Sequence, residues 1–143
     1  VVFHTAVVPL QMAMPHWYFE TPFTLDAPFN DWPEGFVILS AYTTTGEHWP
    51  EDVILAADRK LEHELQQRGG WFLRLTGYSP HDGHAEHGWT LTMAFDEACD
   101  LGLRYKQDAI YCVRGNELFV TYCDARRALV LVGEFRSRLQ PKP

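Results

Sequence analysis

Cysteine is scarce in this chain, and its pattern excludes two architectures. Cys99, Cys112 and Cys123 form an odd set with no C-x-x-C spacing, so neither a disulfide framework nor a cysteine-based metal site follows. That usage fits a reducing compartment, and a cytoplasmic location is the expectation. Positive charge is also short. Against 19 acidic residues stand 12 basic ones, a formal charge of −7 at pH 7. A phosphate backbone repels such a surface unless the cations cluster, and the densest group, Arg126-Arg127 with Arg136 and Arg138 beyond, is thin. No nucleic-acid partner is expected. No apolar run approaches the length that spans a bilayer, so no membrane is expected either. Residues Val1 to Pro15 lack a basic start and are interrupted at His4, Pro9 and Gln11, which does not read as a signal peptide. There is no G-x-S-x-G, no H-E-x-x-H, no G-x-x-x-x-G-K-[ST] and no dinucleotide fingerprint.

What is present is material for a core. The 143 residues are 46% hydrophobic and include five Trp, six Tyr and nine Phe, enough to bury a sizeable interior without staples. One domain over 1–143 is expected, with 1–15 as an irregular extension and 137–143 as a loose tail. Pro9, Pro15, Pro22 and Pro28 punctuate the start of the chain, and among them a short strand around Trp17 to Phe23 is expected. The run Gly35 to Tyr42 is continuously apolar at Phe36-Val37-Ile38-Leu39, which predicts a strand covered on both faces.

Pro50 opens a helix from Glu51 to Arg68, with Ile54, Ala57, Leu61 and Leu65 as its stripe. Glu64 and Arg68 form an i,i+4 pair and Gly69-Gly70 supplies the stop. Trp71 to Gly77 reads as a strand and Tyr78 to Gly88 as a polar loop. Trp89, Leu91, Met93 and Phe95 alternate with smaller residues, the period of a strand with one face covered. Asp96 can cap a short helix to Tyr105. Ala109–Val113 and Leu118–Tyr122 flank Arg114-Gly115-Asn116-Glu117, where Gly115-Asn116 fits a two-residue turn with Arg114 opposite Glu117. In that register Cys112 and Cys123 share a face but lie about 13 Å apart along the strand, too far to bond. Ala128 to Val132 is a further strand.

The order β-β-α-β-β-α-β-β-β predicts an α+β fold: a largely antiparallel or mixed sheet, two helices packed on a face, and one layered core whose polar groups sit in the connections.

The densest polar group is Ser79-Pro80-His81-Asp82-Gly83-His84-Ala85-Glu86-His87. Imidazole nitrogens and carboxylates are good ligands for a divalent metal, and His81, His84 and His87 are the candidates. A solvated turn accounts for the same composition, and no cofactor is otherwise implied. Glu86, at the entry to the Trp89 strand, could point into a cleft as a base or anchor. The turn Thr43-Thr44-Thr45-Gly46 follows a buried strand and precedes a helix, a place for a small ligand, although hydroxyls satisfying local backbone explain it too. Gln107 could bind a ligand or a neighbouring loop, and Cys99 and Cys112 read as packed thiols.

Phe36 to Tyr42, the helix ending in Leu61 and Leu65, Gly77-Tyr78-Ser79-Pro80, Glu86 before the Trp89 strand, and Tyr105-Lys106-Gln107-Asp108-Ala109-Ile110-Tyr111 recur together in a known order. In these the chain resembles the bacterial family catalogued as domain of unknown function 3293, over about Tyr18 to Phe135. That family usually ends the first core strand with Thr-Ala-x-Asn-Pro, where this chain has Ser40-Ala41-Tyr42-Thr43-Thr44 and no asparagine nearby. The resemblance implies a small cytosolic bacterial protein with no established reaction. It singles out Glu86 and Gln107, with Tyr42, Thr43 and Thr44 as the altered strand end.

Three functions follow as expectations. The first is a non-catalytic binding or protein-interaction domain, with a protein partner or a second copy met by Trp17, Phe19, Phe23, Phe29 and Trp32. The second is a hydrolase-like enzyme, possibly metal-assisted, using the His81–Trp89 loop with Glu86 as general base. The third is small-ligand binding at the Thr43–Gly46 turn. What decides among them is whether Glu86, Gln107 and the Thr43 turn converge on one pocket.

Overall fold

A computed structural model describes residues 7–8, 14–43 and 47–141. They form one eight-stranded sheet with two helices, an α+β fold. The strands are β1 (Val7–Val8), β2 (Phe23–Leu25), β3 (Gly35–Leu39), β4 (Phe72–Tyr78), β5 (Ala85–Leu91), β6 (Ala109–Arg114), β7 (Glu117–Tyr122) and β8 (Leu129–Glu134). Helix α1 spans Glu51–Arg68 and α2 spans Phe95–Arg104, with 3-10 turns at His16–Phe19 and Arg136–Arg138. The sheet order is β1-β8-β7-β6-β3-β5-β4-β2, antiparallel throughout except for β1 on β8.

The sheet curls. Residues that follow β8 reach the opposite edge, where Leu139 bridges Phe23 and the Gln140 amide donates to the Phe23 carbonyl at 2.8 Å. Apolar layers therefore form on both faces, not as the one layer expected. On the concave side Phe23, Phe36, Ile38, Leu75, Val113, Leu118, Val130 and Phe135 cluster from across the sheet. On the convex side Val37, Leu39, Trp89, Leu91, Ile110 and Cys112 meet Leu61 and Leu65 of α1 and Ala98 and Leu101 of α2. The unbroken run Phe36 to Leu39 feeds both layers alternately, as a strand covered on both faces must. Each such side chain contributes about 1.5–3 kcal/mol on burial.

Helix α1 and the β6–β7 hairpin match their sequence patterns. Gly115 has φ of 65°, a conformation glycine adopts without strain, and Arg114 pairs with Glu117. The three cysteines are buried free thiols.

Several expectations are corrected. Trp17 lies in a 3-10 turn closed by Tyr18 N–H on the Pro15 carbonyl, and the strand begins only at Phe23. Most of the loop from Tyr78 to Gly88 is hairpin: β4 runs to Tyr78, β5 starts at Ala85, and Ser79 N–H donates to the His84 carbonyl at 2.9 Å across the turn. Strand β5 stops at Leu91, because Phe95 already opens α2 with Ala94, not Asp96, at the cap. Glu64 meets Arg104 and the Tyr105 hydroxyl from α2, while Arg68 faces Glu97. The described part of the tail, to residue 141, is tied down by the Leu139 bridge and a buried Arg138. The N-terminal extension supplies β1; its other residues to 13 lie outside the described ones. Of the early aromatics, Phe29 packs on Trp32 and Trp71, and Trp32 on Phe36 and Phe135. No helix among the described residues is long and apolar enough to cross a membrane.

Candidate functional site

The concave face is filled by rings at one end and hollow at the other. The hollow is a cavity of about 270 Å³. Its walls come from the end of β3, the start of β5 and of β6, the end of β4, and the 3-10 turn that lies across the opening. Two glycines make the space. Gly77 faces Glu86 across the β4–β5 pair and presents no side chain, and Gly88 follows on the same face of β5. A methyl group on Gly88 would lie 3.0 Å from the Leu39 carbonyl oxygen. Gly88→Ala is thus expected to push β3 from β5 and cost about 1–3 kcal/mol, measured by urea unfolding. Gly77→Ala, whose nearest contact is 3.4 Å, should keep its stability and only narrow the cavity.

Glu86 stands on the floor. By area it is exposed, yet protein encloses it on most sides, because the solvent that reaches it fills a cleft. Enclosure governs its proton affinity: desolvation raises the carboxyl above the ordinary glutamate range, while the Ser40 hydrogen bond and His84 pull the other way. The same carboxyl raises its phenol neighbours after their own burial has done so, holding Tyr18 and Tyr42 up and Tyr111 at about 12.

Behind Glu86 runs a chain with a countable proton inventory. Gln107 is buried and donates both amide hydrogens, to the Tyr42 carbonyl at 2.7 Å and the Tyr105 carbonyl at 2.9 Å. Its oxygen therefore faces Ser40 and needs a donor. Ser40 Oγ is 2.8 Å from Glu86 Oε1 and 3.3 Å from Gln107 Oε1, with one hydrogen for both. If Glu86 is ionised, Ser40 donates to it and the Gln107 oxygen goes without. If Glu86 is protonated, it donates to Ser40, and Ser40 donates to Gln107. Counting protein groups alone, the second arrangement gives each of them a partner, in agreement with the raised proton affinity. Ser40, itself buried, positions Glu86 through its hydroxyl.

Of the residues named from the sequence, Glu86, Gln107, Thr43, His81 and His84 all line this one cavity. Tyr42 contributes its backbone carbonyl, and its hydroxyl turns outward to the His84 ring. Thr44, like Gly46, lies outside the described residues. The three histidines do not share a centre. His87 projects to the other face of β5, against the Thr76 hydroxyl at 2.9 Å, and His81 pairs with His16 at the rim. Among the described residues no group of three histidine, cysteine or carboxylate side chains could hold a metal ion. Ser40, Tyr18 and Tyr111 were missed as site residues. Period two would have found two of them, since Phe36, Ile38 and Ser40 share a face, as do Gln107, Ala109 and Tyr111.

Residues 39–110 match a family described as "Protein of unknown function (DUF3293)". The chain belongs to this family. The match begins at the last residue of β3 and ends inside β6, so it contains Ser40, Glu86 and Gln107. Comparison with curated proteins and with solved structures returns no match.

Proposed function

We propose that this member of the family is a small-molecule-binding domain, with the concave cavity as its site and Glu86 as the group that fixes the ligand. The observation that carries the reading is the convergence of Glu86, Gln107 and Thr43 on one hollow lined mainly by apolar and aromatic surface. A carboxyl anchored by a buried serine–glutamine pair, inside a shape emptied by two glycines, is arranged to hold a compact ligand in one orientation.

Thermal-shift screening of a metabolite and fragment library tests the reading. A ligand at a hundred times its dissociation constant should stabilise the protein by about 2.7 kcal/mol. Such hits should weaken at least tenfold in Glu86→Gln and in Gly77→Ala. A library with no hit, or hits indifferent to both changes, removes the site.

A second reading is favoured by the raised carboxyl: Glu86 as general acid or base in a hydrolase-like reaction. Turnover that uses it should fall about 10²–10⁴-fold in Glu86→Gln. Unchanged turnover would remove that role.

Protonation also predicts a stability profile. Below about pH 4.3, the ordinary glutamate value, Glu86 is protonated folded or unfolded and has no pH-linked effect. As pH rises, the unfolded chain ionises first, so stability is lost until the folded-state value is passed. Glu86→Gln escapes that loss, because an amide donates to Ser40 as the protonated acid does. Its melting temperature should exceed that of the parent at pH 8, with the gap closing near pH 4 in paired scans.

A further inference from the structure

We propose that the ligand is an organic cation, a compact amine on an apolar or aromatic body, whose ammonium group sits on Glu86. The inference rests on the small-molecule reading above and names the class of molecule.

The protein supplies a carboxylate and withholds its counter-charge. Among the described residues no lysine or arginine lines the cavity. The buried guanidinium of Arg138 does not line it: it is engaged by the carbonyls of Tyr18, Thr21 and Val132 and reaches the wall only through its field on Tyr111. Around Glu86 stand Tyr18 and His16 from that turn, Tyr42 after β3, Tyr78 in β4, His81, Asp82 and His84 in the hairpin turn, and Asp108 and Tyr111 at β6. Among these only the histidines carry a basic nitrogen. An anion would enter a hollow with the Glu86 carboxyl in its wall, on a chain of formal charge −7.

The walls suit a cation in a second way. Trp17, Tyr18 and Tyr111 present aromatic rings, whose faces attract an ammonium within about 6 Å of the ring centre. A volume of about 270 Å³ lies just below the usual span for ligand pockets, which fits a compact body.

Binding then exchanges one positive charge for another. The ammonium takes the place of the proton on Glu86, which leaves to solvent, and Ser40 turns its hydrogen onto the carboxylate, so Gln107 Oε1 gives up that donor and part of the gain is offset. Affinity therefore rises with pH, up to tenfold per unit while free Glu86 holds its proton, and levels off above that.

Isothermal titration of the whole chain with benzylamine, benzyl alcohol and benzoate separates the cases. Benzylamine should bind at least tenfold tighter than benzyl alcohol, more tightly as pH rises from the ordinary glutamate range, and, where Glu86 holds its proton, with an enthalpy that depends on the buffer's ionisation heat. Glu86→Gln, folded by circular dichroism, should lose at least tenfold for benzylamine alone. Equal or tighter binding of benzyl alcohol or benzoate in a Glu86-dependent way overturns the cation and leaves the small-molecule site standing. Benzylamine binding that ignores Glu86→Gln, or no binding by any probe, also overturns the cation; the library screen then decides separately whether the site itself survives.

Discussion

Asp58→Ala is expected to lower stability by about 3 kcal/mol, read from urea unfolding at neutral pH, with little change in the cavity. Asp58 is a carboxylate on the packed side of α1, only 8% exposed. It accepts both ends of the Arg74 fork, at 2.8 and 2.6 Å, and the Trp89 indole N–H at 3.1 Å. Arg74 in turn lies over the Trp89 ring, 4.1 Å from its centre. The cluster joins α1 to β4 and β5 on the convex face, and the hydrogen bonds Arg74 donates to Asp58 raise its proton affinity. Removing the carboxylate alone leaves a guanidinium and an indole N–H without their acceptor, which costs more than the pair contributes. Arg74 retains a path to water at 24% side-chain exposure, which limits the loss. The double change Asp58→Leu with Arg74→Met removes both charges together and should cost clearly less than the sum of the two single losses. Strict additivity would show that the fork carries no coupling.

That cluster also marks where sequence reasoning stops. The stripe of α1 was legible because Leu61 and Leu65 repeat at helical spacing, whereas Asp58, buried beside them, looks like one more surface charge until β4 brings Arg74 opposite. The same division holds at the site. The hairpin at Gly115 and the strand Phe36 to Leu39 could be derived from neighbours in sequence, since turn chemistry and period two are local. Glu86 and Gln107 stood out only through resemblance to a family, because no local pattern distinguishes a carboxylate on a cleft floor from one in water. Their convergence with Ser40 depends on β3 lying between β5 and β6, a non-consecutive order that no spacing announces. The 3-10 turn at Trp17 was mistaken for a strand since its aromatic content favours either state and prolines bound both. The histidines seemed a set by spacing, yet strand β5 sends His87 to the face opposite Glu86.

Arg138→Met should be about as damaging, at roughly 3 kcal/mol, and unlike Asp58→Ala it should also open the site. Arg138 sits in the segment expected to be loose, but it is 8% exposed and donates to the carbonyls of Tyr18 at 2.7 Å and Thr21 at 3.4 Å, and to that of Val132. Among the described residues no carboxylate lies within ion-pair distance of it, and burial lowers its proton affinity without neutralising a guanidinium. Its work is to satisfy backbone acceptors that the curl of the sheet turns away from water. Two of these belong to the turn and loop that carry Trp17, Tyr18 and Thr21 across the cavity. Met fills the space of the stem but leaves those carbonyls unpaired, so the segment is driven to seek water and the wall departs with it. Hydrogen exchange should therefore quicken over residues 16–25 well before global unfolding, and ligands found by screening should bind at least tenfold more weakly. Lysine restores the charge without the fork and should recover less than half of the stability. A methionine variant within 0.5 kcal/mol of the parent, with unchanged exchange over those residues, would show that the wall stands without Arg138.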